Sequence, residues 1–114
     1  MNKRYYLALD LKDEPEAIAT YEDLHKRVSP HIIASIRNSD ITQMELYRTG
    51  NRLFMIMETG PDFSFEAKAL ADASDPLVQE WETLVGTYQQ ALPWAKPGEK
   101  WVLMDPIFRL TDYL

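Results

Sequence analysis

The chain has no cysteine, only four glycines in 114 residues and no long apolar run. Without cysteine, a disulfide framework, a thiol nucleophile and a zinc site built on thiolates are all excluded. No apolar segment is long enough to cross a bilayer, and the start Met1-Asn2-Lys3-Arg4 lacks the apolar stretch of a signal peptide. Phosphate-binding glycine loops, nucleophile elbows and metalloprotease motifs are missing as well. We therefore expect a cytoplasmic protein that does not attach to membranes.

Basic side chains are outnumbered, with 12 Lys and Arg against 18 Asp and Glu, and the net charge is −6. The basic residues are scattered along the chain rather than clustered. Such a surface repels both a phosphate backbone and an anionic lipid surface, so we expect no nucleic-acid partner. The length predicts a single domain over residues 1–114 that is large enough for its own core.

The apolar periodicity predicts the order β-α-β-β-α-β with additional short helices. The predicted strands are residues 5–11, 42–48, 52–58 and 101–110, the predicted main helices are 14–29 and 76–88, and the predicted short helices are 30–36 and 62–71. Asp13 is the expected N-cap of the first helix, and Pro106 is expected to interrupt the last strand. This order indicates an α+β fold of the ferredoxin-like class.

Both faces of the predicted sheet carry apolar side chains. One face of the central hairpin holds Met44, Leu46, Leu53, Met55 and Met57, and the other holds Tyr47, Phe54 and Ile56. Helices on one side of the sheet leave the other side to be covered. A second copy of the chain, packed sheet to sheet as a homodimer, would cover it.

His25 lies in the apolar stripe of the first helix, one turn after Tyr21. It is therefore expected to point inward. An imidazole beside a phenol can move protons near neutral pH, although a histidine at such a position is also often a hydrogen-bonded core residue. His31 lies six residues after His25 across a predicted helix break, which is a poor spacing for a metal, and we expect no metal site.

Other chemistry-bearing residues give weaker signals. The strand carboxylates Asp10, Glu45 and Glu58 point into a cavity in one interpretation and are solvated charges in the other. Tryptophan stacks well on the apolar face of a sugar, but a tryptophan at helical spacing, such as Trp81, is typical of a core.

Several segments together resemble the L-rhamnose mutarotase family, which includes enzymes that act on L-fucose. The similar segments are residues 21–30 (YEDLHKRVSP), the hairpin 44–58, residues 78–81 (VQEW), residues 97–101 (PGEKW) and residues 107–110 (IFRL). The similarity extends over nearly the whole chain in matching order. Ser29 and Met44 depart from the family pattern, which often has aromatic residues there.

The resemblance implies a dimeric α+β barrel that interconverts the α and β anomers of a 6-deoxy-L-hexose without cofactor or metal. It assigns the proton donor to His25 and a sugar contact to Tyr21. It also assigns a sugar-contacting pair to Trp81 and Glu82. The general base stays open between Tyr21, a carboxylate such as Asp10, and a water molecule.

Two other functions stay open from the sequence, because a fold does not determine a function. A cofactor-free or haem-linked oxygenase on the same scaffold would show a large apolar pocket. In a non-catalytic ligand-sensing or assembly module, His25→Ala would leave every activity unchanged and would affect only stability.

Overall fold

The computed structural model describes residues 2–113 and shows one antiparallel sheet with helices on one face. In chain order the elements are β1 (Lys3–Leu11), α1 (Pro15–Leu24), α2 (Pro30–Asn38), β2 (Ile41–Thr49), β3 (Arg52–Thr59), α3 (Phe65–Ala73), α4 (Pro76–Gly86), β4 (Gln89–Gln90), β5 (Val102–Leu103) and a 3₁₀ turn (Leu110–Asp112). The strand order is β2-β3-β1-β4, and β5 also pairs with β1. The α+β, ferredoxin-like prediction is confirmed. No helix within residues 2–113 is long and apolar enough to cross a membrane.

The central hairpin forms as its sequence predicts. β2 and β3 pair in antiparallel register from Ile41↔Thr59 to Thr49↔Arg52, with a bulge between Ile41 and Gln43. The connecting turn has Gly50 at φ 56°, a left-handed conformation that glycine adopts without a steric penalty.

Two of the predicted helix starts are confirmed by their capping bonds. Ser29 Oγ accepts a hydrogen bond from the Ile32 amide at 3.4 Å at the start of α2. Asp75 Oδ1 accepts from the amides of Leu77 and Val78 at 3.1 and 3.4 Å at the start of α4. Both caps depend only on local side-chain chemistry, which is why the sequence shows them.

The predictions for α1 are partly wrong. The N-cap is Glu14 rather than Asp13, and it makes no side-chain capping bond. The helix ends at Leu24, with His25 as C-cap, rather than near Ser29. The His25 amide donates to the Glu22 carbonyl at 3.2 Å. In a continuing α-helix this amide would instead donate to the Tyr21 carbonyl, but that carbonyl accepts from the His25 ring. The side chain thus replaces a backbone bond and ends the helix.

The last strand is much shorter than predicted. Only Val102–Leu103 pair with β1, and Met104 adds one backbone bond to Tyr6 at 2.8 Å. Pro106 then follows, which has no amide hydrogen for a ladder. Beyond it the chain leaves the sheet, and Ile107 is 97% exposed. Conversely, the two-residue strand β4 was not predicted.

The core lies between the sheet and the helices, and it positions the site. One cluster consists of Leu11, Tyr21, Leu53 and Val85, with the half-buried Trp81 packed against it. A second cluster of Leu7, Ile41 and Met57 lies further along the sheet. Leu53 and Met57 are buried, so their face of the hairpin is the one that turns inward. α4 contributes Val78 and Val85 to the interior, whereas Leu77 and Leu84 of its predicted stripe are exposed.

Candidate functional site

His25 and Tyr21 lie side by side at the end of α1, as the helical spacing predicts. Their ring centroids are 4.5 Å apart. Tyr21 is buried and belongs to the core, whereas His25 is half-buried at the point where the helix ends. A histidine in this position is anchored by the core on one side and reachable from the other.

The orientation of the His25 ring is set by one hydrogen bond. Nδ1 lies 2.8 Å from the Tyr21 carbonyl oxygen. Because a carbonyl can only accept, Nδ1 must carry the hydrogen, and Nε2 is the nitrogen left to exchange a proton with a ligand.

Trp81 completes the row of rings. It packs edge-on against His25, with 5.3 Å between ring centroids, and comes from the middle of α4. Tyr21 and Trp81 are 60 residues apart in the chain, and the packing of α4 against the end of α1 brings both rings to His25. This arrangement offers an indole, an imidazole and a phenol at one place.

The hydroxyl of Tyr21 lies at the inner end of the site. The Gln89 amide nitrogen donates to it at 3.3 Å. Burial raises the pKa of Tyr21 above its ordinary value, and the bond from Gln89 offsets only part of that effect. Tyr21 is therefore a neutral phenol at physiological pH, suited to donating a hydrogen bond rather than to accepting a proton as phenolate.

Glu82, which the family resemblance pairs with Trp81, is half-buried on α4. Its carboxylate accepts a hydrogen bond from Gln79, one helical turn earlier, at 3.4 Å. No contact joins it to Tyr21 or His25 among the hydrogen bonds of the described residues.

The strand carboxylates lie on the opposite face of the sheet. Neighbouring residues of a strand point to opposite faces, so Asp10 points away from the core that Leu11 enters. Asp10 is held by Arg52 through two bonds, of 2.7 and 3.1 Å, and the Arg52 guanidinium lies over the Trp94 ring at 5.2 Å. Asp10 is therefore part of an ion pair rather than the partner of His25.

The other two carboxylates are also engaged away from the site. Glu58 lies 3.9 Å from Arg4, and Glu45 accepts from the Tyr47 hydroxyl at 2.6 Å. These contacts support the structural interpretation of both.

His31 has a structural contact. Its Nε2 lies 2.7 Å from Asp75 Oδ2, and this bond joins the start of α2 to the start of α4. The bond also lowers the pKa of Asp75, chiefly because His31 stabilises the carboxylate. Within residues 2–113 no three metal-ligating side chains come close enough to hold a metal ion.

Gln89 is the site residue that the sequence interpretation missed. It lies on the unpredicted strand β4, in register with Leu11 of β1. A polar residue directly after the apolar stripe of α4 was the available signal, but a loop explains it equally well. Only the pairing of β4 with β1 brings Gln89 to Tyr21.

Comparisons with known proteins identify the family of this chain. Residues 4–110 match the family model of L-rhamnose mutarotase. A protein of Xanthomonas campestris pv. campestris named L-fucose mutarotase is 42% identical over 112 residues, which cover 96% of this chain and 90% of that protein. A UPF0734 protein of Dictyostelium discoideum is 30% identical over 113 residues, covering 95% and 90%.

Two solved structures share the fold. L-rhamnose mutarotase from Formosa agariphila superposes with a TM-score of 0.69 at 14% identity, covering 95% of this chain and 98% of that one. Tetracenomycin F2 cyclase from Streptomyces glaucescens gives 0.56 at 17% identity, covering 94% and 97%. At these identities the structures bear on the fold alone. The family match and the 42% identical relative show that this chain belongs to the L-rhamnose mutarotase family, whose members are isomerases of sugar anomers.

Proposed function

We propose that this protein interconverts the α and β anomers of a 6-deoxy-L-hexose, with L-fucose as the first substrate to test and His25 as the proton donor. The observation that carries the proposal is the row of Tyr21, His25 and Trp81, in which the Nδ1 bond to the Tyr21 carbonyl leaves Nε2 available. The choice of L-fucose is supported by the name of the 42% identical relative.

The reaction needs two proton transfers and no change of oxidation state. The bond between C1 and the ring oxygen breaks as a proton reaches the ring oxygen and the anomeric hydroxyl loses its proton. The resulting aldehyde rotates about the C1–C2 bond, and the reverse transfers close the ring on the other face. Protonated His25 delivers the first proton from Nε2 and recovers it on closure. A positioned acid or base is worth about 10²–10⁴-fold in rate.

The remaining groups bind the sugar. Trp81 offers an apolar surface to the C–H face of the ring, and Tyr21 donates a hydrogen bond from its neutral hydroxyl. Glu82, next to Trp81 on α4, is proposed to contact the sugar together with that tryptophan. Since Asp10 is bound to Arg52 and burial keeps Tyr21 protonated, a water molecule is the general base that these contacts favour.

Anomer exchange measured by saturation-transfer NMR tests the proposal. L-fucose and L-rhamnose are compared with D-glucose as a control sugar. His25→Ala should lower exchange by about 10²–10⁴-fold. His25→Asn should be similarly inactive, because its amide can still donate to the Tyr21 carbonyl but has no group at the Nε2 position. Wild-type exchange no faster than the spontaneous rate for both 6-deoxy sugars would refute the mutarotase function.

The same experiment separates the other functions raised from the sequence. Full exchange activity in both His25 variants would remove His25 from the mechanism while leaving the reaction. An oxygenase would instead consume oxygen with a quinol or with added haem. The family match favours the mutarotase, and with it a role in carbohydrate metabolism in the cytoplasm, which cell fractionation tests.

We also propose that the chain forms a homodimer through the outer face of its sheet. Tyr6 and Phe54 stack there at 6.1 Å, and Tyr47 beside them is 53% exposed. A shallow recess of about 270 Å³ adjoins these rings. The segment after Pro106, which includes the 3₁₀ turn, adds exposed apolar side chains, namely Ile107, Phe108, Leu110 and Tyr113. Monomeric proteins rarely expose apolar surface on this scale, and a second copy would bury it.

Light scattering after size-exclusion chromatography measures this assembly. Phe54→Asp should shift the protein from dimer to monomer, because it places a charge inside the proposed interface. Leu70→Asp, at a residue that is 67% exposed on α3, is the matched control and should leave the dimer intact. A monomeric wild-type protein at micromolar concentration would contradict the homodimer.

A further inference from the structure

Gln89 has a buried side-chain oxygen without a hydrogen-bond partner. Among the described residues, Oε1 of Gln89 is the buried side-chain polar atom left unsatisfied. An unpaired amide oxygen in a desolvated place is unfavourable, so proteins usually satisfy such an atom with a partner, a water molecule or a ligand. A ligand atom is therefore a candidate partner for Oε1.

The position of the oxygen connects it to the proposed site. Nε2 of the same amide group donates to the Tyr21 hydroxyl at 3.3 Å, so Oε1 lies beside that hydroxyl. The Tyr21 ring in turn packs against His25 at a tilt of 37°. Gly86 and Lys100 are the other neighbours of this oxygen: a Cβ at Gly86 would lie 4.0 Å from Oε1 and 3.7 Å from Lys100 Nζ, and no hydrogen bond joins Nζ to Oε1 among the described residues.

The two groups together match the chemistry of an alcohol. The Tyr21 oxygen already accepts from Gln89, which leaves its own hydrogen free to donate. Oε1 of Gln89 is an acceptor at the same place. A sugar hydroxyl both donates and accepts, so it can satisfy Tyr21 and Gln89 at once.

We propose that Gln89 is a substrate-binding residue that accepts a hydrogen bond from a ring hydroxyl through Oε1 and holds the Tyr21 hydroxyl as a donor through Nε2. The proposal rests on the mutarotase function and adds a specificity-determining contact to it. Gln89 binds a hydroxyl other than the anomeric one in this scheme, and therefore affects sugar affinity more than the rate of proton transfer.

The first test separates KM from kcat in anomer exchange, with whichever of L-fucose and L-rhamnose the wild type exchanges. Gln89→Met has a similar length and no amide, and it should raise KM about tenfold or more while kcat changes less. Gln90→Met is the matched control on the same strand, because Gln90 is exposed and in register with Asp10 on the other face. It should leave KM unchanged.

The second test uses derivatives of that sugar that each lack one non-anomeric ring hydroxyl. In the wild type one of them should show a KM about tenfold higher than the parent sugar, and Gln89→Met should abolish that difference. The wild-type arm does not depend on the folding of the variant, which urea unfolding checks separately.

The outcomes distinguish the two proposals. An inactive wild type overturns the mutarotase function and this inference together. An active wild type with an unchanged KM in Gln89→Met overturns the inference alone. An equal rise of KM for the parent sugar and every derivative also overturns it, because that result would show that Gln89 only supports Tyr21.

Discussion

Replacing Leu11 with alanine tests whether the core beneath the site holds the fold together. Leu11 has no exposed surface and packs with Tyr21, Leu53 and Val85. Asn51 holds both polar groups of its backbone, since the Leu11 amide donates to the Asn51 carbonyl at 2.7 Å and the Leu11 carbonyl accepts from the Asn51 side chain at 3.0 Å. The surroundings can therefore collapse only partly around a smaller residue. We expect Leu11→Ala to lower the free energy of unfolding by about 2–5 kcal/mol.

That loss is a large part of the total stability of a small domain, which is about 5–15 kcal/mol. At roughly 4 °C per kcal/mol for a chain of this size, Tm should fall by about 8–20 °C. Urea unfolding followed by circular dichroism, at one fixed protein concentration, gives the free energy.

Two leucine variants serve as controls. Leu11→Met conserves the volume and should cost less than about 1.5 kcal/mol. Leu70→Ala, at a residue that is 67% exposed, should stay within about 0.5 kcal/mol of wild type. If Leu11→Ala proved no more destabilising than Leu70→Ala, the cluster would not be the core that the geometry indicates.

Two further predictions concern backbone conformation and pH. Gly50→Ala should lower the free energy of unfolding by about 1 kcal/mol, because φ at Gly50 is 56°, whereas Gly86→Ala, at the end of α4, should raise it by about 0.4–1 kcal/mol. Thermal unfolding of both variants checks this, and equal signs would contradict it. Burial raises the pKa of Tyr21 above 10.0, so the unfolded chain ionises this residue first as pH rises. The contribution of Tyr21 to the free energy of unfolding should therefore be complete below pH 10 and should be lost as pH rises through the folded-state pKa. In an alkaline unfolding series, the stability of Tyr21→Phe should decline less steeply than that of the wild type.

The prediction of the fold from sequence succeeded where the signals were local. Period-two alternation in β1, the turn around Gly50 and the caps Ser29 and Asp75 each depend on residues a few positions apart. The predicted ends of α1 and of the last strand were wrong, because these ends depend on which hydrogen bonds the backbone can make in the folded chain. The His25 ring displaces a backbone bond at one end, and the segment after Pro106 finds no strand to pair with at the other.

Periodicity alone placed His25 next to Tyr21, because residues four apart share one face of a helix. The resemblance to the mutarotase family added Trp81, and the sheet-facing side of α4 brings that indole to His25. Neither the periodicity nor the resemblance could show whether the strand carboxylates belong to the site. Asp10 required the register with Arg52 before its role as an ion-pair partner became visible.

The sequence by itself therefore determined the order of the elements other than β4, the inward direction of His25 and, through the family resemblance, the class of reaction. The tertiary structure decided which distant groups join Tyr21 around that histidine. Trp81 and Gln89 lie more than 50 residues beyond His25, and no local rule relates their positions to it. Helix packing brings in the indole, and the pairing of β4 with β1 brings in the amide whose oxygen still lacks a partner.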